Sequence, residues 1–502
     1  MNINMVLEMA AGGYGGRPAV VTDAGETSYE EFHARVGARA RALAALAAEA
    51  QLSHVAYLGL SGPGYIEHLL AAATAGLPFV PLNYRTRAEE LAALLEPLSP
   101  ALIVHDAAYA EKAHAAAGER DVLRTPAELG SLADGALPYV DADAVAVLLY
   151  TSGTTSAPKA VLLRHRHLCS YIFGVVEFGS AAPGETALCT VPPYHIAGIM
   201  GVLTPLYSGR RLAFLPQFEA TAWLQAAARH EVTHAFVVPT MLSRIVEALD
   251  ADPALRPSAL RHIAYGGGPI HRALVERALA LLPDVDFVNA YGLTETSSTV
   301  AVLSPDDHRT AVASADPAVR ARLGSVGRPL PGIDVRILDD AGQELPAGEV
   351  GIVSIAGPQV SGQYRGADAP EGRFVTGDLG HLDAGGYLFL GGRSDDVIIR
   401  GGENISPGEV EDVLAGHPDV RNVAVVGVPD EEWGQRVVAF VEARTAWHAS
   451  ADDLREWARH DLAGFKIPAS VVFLDELPRN DTGKVLRRRL REEWVDDVAE
   501  PA

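Results

Sequence analysis

Over the first 300 residues, short apolar runs alternate with helical stretches, and this rhythm constrains the fold more than any other property of the chain. Ser28-x-x-Glu31 reads as a capping box opening a helix whose apolar residues are Phe32, Val36, Leu43 and Leu46. Strand-like runs follow at His54–Leu60, Phe79–Leu82, Ala101–His105, Ala144–Leu149, Leu212–Leu215, His234–Val238, His262–Tyr265 and Asp286–Asn289, with a helix at Tyr65–Ala75 and further helical stretches between them. Short buried strands alternating with helices predict parallel sheets covered by helices. From residue 330 onward the chain becomes strand-rich, at Asp334–Leu338, Glu349–Ile355 and Tyr387–Leu390. The last hundred residues read as a separate small α+β unit, with helices at Ser406–Ala415 and Ala451–Leu462 and strands at Val423–Val428, Val437–Ala443 and Ser470–Leu474. The break falls in Gly391–Asp396, where glycines supply backbone freedom, and divides the chain into residues 1–394 and 395–502.

Charge narrows the partners. The 502 residues carry 41 Lys plus Arg against 64 Asp plus Glu, a formal net charge of −23. That balance argues against nucleic acid and against a polybasic grip on anionic lipid. The only lysines are Lys112, Lys159, Lys466 and Lys484, so each is worth locating. Cys169 and Cys189 cannot build a disulfide framework, and no Cx2C or HExxH ligand spacing occurs, so a reducing, cytoplasmic compartment is expected. The N-terminus makes a poor signal peptide, and no apolar run approaches the ~20 residues that span a bilayer.

The segment Tyr150–Lys159 follows a strand and packs six hydroxyls, Gly153 and Lys159 into ten residues. Small hydroxyls and free backbone N–H groups wrap polyphosphate, and a lysine adds a point charge. A polar turn is the plainer reading of any such loop, and this one is not a Walker A sequence. Its wording, with Thr151, Ser152, Gly153, Thr154, Thr155 and Lys159, resembles the phosphate loop of the adenylate-forming superfamily, which includes acyl-CoA synthetases, luciferase and peptide-synthetase adenylation domains. It departs from that pattern at Ser156 and Ala160, where relatives carry Gly; either change would stiffen the loop.

Seven further segments resemble the same family in the expected order. They are Pro193–His195, Tyr265–Pro269 with Gly267 and Gly268, Asn289–Thr296, Thr376–Asp378, the hinge Gly392–Asp396, Arg400–Pro407, and Pro478–Lys484. The resemblance spans residues 20–490 and implies an α/β fold: a large N-terminal domain of parallel helix-covered sheets plus a distorted β-barrel, with a small mobile C-terminal α+β domain.

It also implies roles. Asn289, Tyr291 and Gly292 belong to the nucleotide motif, in which Tyr291 offers a face for adenine. Thr294 would donate to the α-phosphate, and Glu295 would hold Mg²⁺. Asp378 would accept from both ribose hydroxyls, and Arg393 would reach ribose or phosphate or brace the hinge. Lys484 would offset charge built up as a carboxylate attacks the α-phosphorus. His195 would gate the acyl pocket or is a satisfied core histidine. Trp433 would stack on the adenine of CoA or is structural, Gly402 would leave room for the pantetheine arm, and Lys466 and Arg487–Arg489 would meet CoA phosphates or are solvated surface.

The implied reaction turns a carboxylic acid and MgATP into acyl-AMP and pyrophosphate, then passes the acyl group to CoA after the small domain swings about Asp395. Two alternatives stand beside it. One is an adenylating enzyme that activates a carboxylate or an oxyanion such as nitrite for an amine or carrier-protein acceptor; the other is a member that uses a preformed adenylate. Ile196, Ala197 and Ile199 suggest an apolar or aromatic acid. Arg244 reads as a second-anion site or helix surface, Arg373 replaces the family's usual Trp, and a homodimer is left open.

Overall fold

In the computed structural model, all residues are described except 131, 133, 152–157, 445–446, 481–482 and 500–502, with backbone alone for 495–499. The capping box forms as expected. Ser28 Oγ accepts from the Glu31 amide at 3.2 Å, and Glu31 Oε2 accepts from the Ser28 amide at 2.9 Å. The helix so opened runs Tyr29–Ala50 and buries Phe32, Val36, Ala40 and Leu43 along one side.

Two large sheets carry the N-terminal part. One has six strands in the order Val122–Arg124, Ala101–His105, His54–Leu58, Phe79–Pro81, Val145–Thr151 and Lys159–Arg164; only the last pairing is antiparallel. The other has nine strands. Its parallel centre runs Asp286–Leu293, His262–Gly266, His234–Val237, Thr186–Cys189, Arg211–Phe214 and Pro18–Thr22, with antiparallel strands on both edges. The largest apolar cluster draws Val55, Phe79 and Val147 from one sheet, Val20 and Leu212 from the other, and Ile66, Leu69 and Leu203 from helices. The two sheets therefore share one core.

Where the barrel was expected lies a four-stranded antiparallel sheet, Asp334–Leu338, Gly351–Ala356, Phe374–Leu382 and Leu388–Arg393. A five-stranded sheet follows, from Ile398–Arg400 to Ser470–Leu474. The two apolar clusters around it draw only on residues 398–494. Among the described residues no helix is long and apolar enough to cross a membrane.

Three differences from expectation have physical causes. Ala160 lies in the strand Lys159–Arg164, its methyl buried among apolar neighbours, so the loop-stiffening argument does not reach it. The helix Ile196–Ser208 escaped notice because it is apolar nearly all round and carries an internal Pro205, which leaves no period to read. The strand Phe374–Leu382 was masked by its polar residues Thr376, Asp378 and His381.

Candidate active site

The strand Asp286–Leu293 ends in a single 3-10 turn, Thr294–Thr296, and this corner builds one wall of the site. The approach depends on Gly292: a Cβ there would lie 1.9 Å from the Ser298 carbonyl oxygen, so no other residue fits without moving the partner strand. Thr296 Oγ1 accepts from the Leu293 amide at 2.9 Å and secures the turn. The Glu295 carbonyl accepts from the amides of Ser361 and Gly362 at 2.9 and 3.0 Å. Its side chain is buried, and Oε1 accepts from the Tyr364 hydroxyl at 2.6 Å. Lys159 Nζ sits 5.5 Å from the centre of the same Tyr364 ring. Burial, then the neighbouring Glu295 carboxylate, pushes the Tyr364 hydroxyl up, so it keeps its proton and donates.

A second group lies one strand pair away. Asp378 and Arg393 face each other across the antiparallel strands. Arg393 Nη1 donates to Asp378 Oδ1 and to the Thr376 carbonyl, both at 3.0 Å, and the Tyr291 hydroxyl donates to Asp378 Oδ2 at 2.7 Å. Burial and Asp378 keep Tyr291 protonated. Both carboxylate oxygens thus have a fixed partner, and each retains a further lone pair.

A cavity of about 1690 Å³ brings the pieces together. Its lining takes Thr151, Lys159, His195, Gly267, Gly292, Thr294, Glu295, Tyr364 and Arg393 from the N-terminal part and Lys484 from the C-terminal part. His195 precedes the helix Ile196–Ser208, and its carbonyl accepts from the Gly198 amide at 2.8 Å. Asn480 holds Lys484 in place: Asn480 Oδ1 accepts from the Lys484 amide at 2.9 Å, and the Lys484 carbonyl accepts from the Asn480 amide at 2.8 Å. Arg479 Nη1 donates to the Gly483 carbonyl at 2.9 Å. Gly483 has φ +78°, and a Cβ there would meet Thr240 Oγ1 at 2.4 Å, so glycine lets this turn seat against the helix Pro239–Ala251.

Several expected residues stand elsewhere. Asn289, Tyr291, Asp378 and Gly268 are not among the lining residues. Asn289 Nδ2 donates to the Ser325 carbonyl at 3.2 Å, and Tyr291 packs its ring in an apolar cluster while its hydroxyl braces Asp378. Gly402, Trp433 and Lys466 do not reach the cavity in this arrangement. Trp433 is 47% exposed and packs against Gly401 and the Arg400 guanidinium. Lys466 Nζ is held by both oxygens of Glu409 at 2.6 and 2.7 Å. The basic run is engaged with carboxylates, Arg487 with Glu411, Arg488 with Glu492 and Arg489 with Glu493, and of the three Arg489 does line the cavity, together with Glu493. Ser152, Gly153, Thr154, Thr155 and Ser156 lie outside the described residues.

Other residues change role. Lys112 is not loose on the surface: its Nζ donates to the carbonyl of Tyr84, a cavity-lining residue, at 2.6 Å. Arg373 joins two strands, donating to Ser354 Oγ at 3.1 Å and to the carbonyls of Ser354 and Asp334. Arg244 lines the cavity 3.8 Å from Glu476, so any second-anion role competes with that carboxylate. Tyr364 was missed altogether; no run of chemically distinctive residues surrounds it, and only tertiary contact puts it on Glu295.

Known proteins share this sequence pattern and fold. Residues 7–365 match the AMP-binding enzyme family, and residues 409–484 match the AMP-binding enzyme C-terminal domain. A fatty acid–[acyl-carrier-protein] ligase, ScoC, of Streptomyces coeruleorubidus is 35% identical over 96% of this chain and 94% of its own length. A feruloyl-CoA synthase of an Amycolatopsis species is 36% identical over 92% of this chain and 93% of its own. The solved structure of o-succinylbenzoate coenzyme A synthetase from Bacillus subtilis, in complex with ATP and magnesium, superposes with a TM-score of 0.83 at 28% identity, covering 97% of this chain and 98% of that one.

Proposed function

The chain belongs to the AMP-binding enzyme family, and from that premise we infer that it is an AMP-forming acid–CoA ligase. It activates a carboxylic acid with ATP as acyl-AMP, then transfers the acyl group to CoA. The observation that carries this reading is that Lys484, from the C-terminal part, lines one cavity with Thr294, Glu295 and His195.

Each residue has a task that follows from its chemistry. Attack of a carboxylate on the α-phosphorus brings two anions together and loads charge onto the bridging oxygen. Lys484 offsets that charge, and a preorganised cation in a walled cavity does so without waiting for solvent to reorganise. Thr294 donates to the α-phosphate. Lys159 faces the leaving pyrophosphate, held near the Tyr364 ring. Asp378 does not line the cavity itself but stands 3.0 Å behind Arg393, which does and which fixes its rotamer; its remaining lone pairs would accept the ribose hydroxyls.

The donor set also fits a magnesium ion. Among the described residues there is no cluster of three carboxylate, histidine or cysteine groups to cage a metal, but Glu295 is one buried carboxylate on the cavity wall. Mg²⁺ is commonly held by one or two carboxylates together with substrate phosphates, while keeping several waters. When bound, it neutralises phosphate charge; Glu295 would hold it, and Tyr364 fixes the orientation of Glu295.

The acid is apolar or aromatic. The cavity lining that includes His195 also takes Ile196, Ala197, Phe218, Phe236, Val238 and Met241, along with Gln217, Ser243 and Arg244, whereas Ile199 is fully buried in the core and does not line it. For the second step the part beyond Asp395 swings, Lys484 withdraws, and Gly402 and Trp433 approach the acyl-AMP to receive CoA. The exposed Trp433 face suits stacking on an adenine.

The test is pyrophosphate release over a panel of fatty and aryl acids, with and without CoA, followed by mass spectrometry of the products. Acyl-CoA formed only when both CoA and the acid are present supports the reading. An acyl-AMP consumed by a carrier protein or an amine but not by CoA would overturn the acceptor assignment.

A further inference from the structure

The helix Pro239–Ala251 turns two faces to different neighbours. Leu242, Ile245, Val246 and Leu249 are buried on one side. Thr240, Arg244 and Glu247 fall at i, i+4 and i+7, which places them along one other stripe. Each of the three meets a different segment of the C-terminal part. Gly483 abuts Thr240, Glu476 lies 3.8 Å from Arg244, and Arg421 donates twice to Glu247, from Nε at 2.9 Å and from Nη2 at 2.7 Å. Among the described residues, this last pair is the shortest ion pair that joins the chain before residue 394 to the chain after 395. The first turns of the same helix supply Thr240, Met241, Ser243 and Arg244 to the cavity wall, and Arg421 lines the same cavity from the C-terminal part.

We propose that Glu247 and Arg421 form a latch that holds Lys484 in the cavity, which makes both of them positioning residues for adenylate formation and not for acyl transfer. The inference rests on the two-step reading above and adds the contact that biases the enzyme toward its first step. A two-pronged Arg–carboxylate contact fixes orientation as well as distance, so it sets how the C-terminal part sits on the helix. Both side chains are partly exposed, at 40% and 36%, so the pair adds little to overall stability. A small bias is nevertheless enough. An enzyme that must occupy two arrangements in each turnover keeps them close in energy, and a weak contact present in only one of them shifts the ratio severalfold. A merely structural pair would not discriminate between the two half-reactions; a latch must.

The test measures the half-reactions separately in the full chain. One is acyl-AMP formation from acid and MgATP in a single turnover. The other is thioester formation from chemically prepared acyl-AMP and CoA. Glu247→Gln and Arg421→Glu should each slow the first about two- to fivefold, the range an exposed pair supports. They should leave the second unchanged or faster, and Glu247→Arg combined with Arg421→Glu should restore the first. A parallel fall in both half-reactions, no change in either, or a double variant no better than the singles would overturn the proposal. A Glu247→Cys/Arg421→Cys variant treated with a short bis-maleimide provides a readout independent of the acceptor, since Cys169 and Cys189 are buried. Efficient crosslinking that spares adenylation and blocks thioester formation supports the latch; failure to crosslink overturns it. If the wild-type chain made no acyl-CoA, the CoA reading would fall while crosslinking and acyl-AMP formation still reported on the latch.

Discussion

Tyr364 donates its hydroxyl proton to Oε1 of Glu295 across 2.6 Å, and the same ring lies 5.5 Å from the Lys159 ammonium. One aromatic side chain therefore fixes both an anionic and a cationic group on the cavity wall.

Replacing that hydroxyl tests its weight. Tyr364→Phe keeps the ring and removes one hydrogen bond to a buried carboxylate, a contact of about 1.5–3 kcal/mol. KM for MgATP in the pyrophosphate-release assay should rise about tenfold or more, while the melting temperature stays within a few degrees. An unchanged KM across a magnesium titration would remove Tyr364 from the site.

Lys484→Ala should separate the two half-reactions. Loss of a charge-stabilising donor commonly costs about 10²–10³ in rate. Acyl-AMP formation should fall by at least that much, and thioester formation from supplied acyl-AMP should keep most of its rate. Equal losses in both steps would sink the assignment.

Acid stability should be set partly by buried imidazoles. His165 and His167 are both pushed down to about 4 from the usual 6.5, chiefly by burial. Each Nδ1 accepts a backbone amide, from Ile3 at 3.3 Å and from Arg164 at 3.4 Å, a contact that needs the neutral ring. Below pH 6.5 the unfolded chain takes up protons that the folded chain refuses, so stability is intact above that pH and falls as pH drops toward about 4. Each ring should withdraw about 2 kcal/mol by pH 5. Urea denaturation at pH 7 and pH 5 should show the loss, and His165→Gln should flatten it. Parallel slopes for the variant and wild type would exclude His165 as a contributor.

Gly292→Ala should be severe in two ways. Its Cβ would stand 1.9 Å from the Ser298 oxygen, so the pair of strands must part by more than an ångström beside Thr294 and Glu295. A loss of about 1–3 kcal/mol, the usual range for overpacking, should accompany a collapse of adenylation. Normal activity in a folded variant would show that the corner tolerates the shift.

Much of the parallel-sheet framework was legible because its strands are short, apolar and set between helices. Ala101–His105 and Ser470–Leu474 match their predicted bounds. The residues that line the site were legible only where local wording is distinctive, as at Thr294-Glu295 and around Lys484. Tyr364 and Arg421 were not, since each draws its meaning from a partner 69 or 174 positions away. Tyr291 was legible in place but not in use: its hydroxyl holds Asp378, while its ring is packed in the apolar interior. Side-chain identity marks a motif, but which of its atoms faces the cavity depends on packing from other strands.

The arginines of the run 487–489 spend their charge on Glu411, Glu492 and Glu493. With those cations neutralised in place, an arriving nucleotide meets the field of a molecule carrying a net −23. Capture of ATP should thus begin against long-range repulsion and become favourable only near the cavity wall. Added salt shortens the reach of that field to about 8 Å at physiological strength. The association rate for ATP should therefore climb with ionic strength, the reverse of what a basic phosphate-binding surface would give, and stopped-flow binding at graded potassium chloride would read the sign.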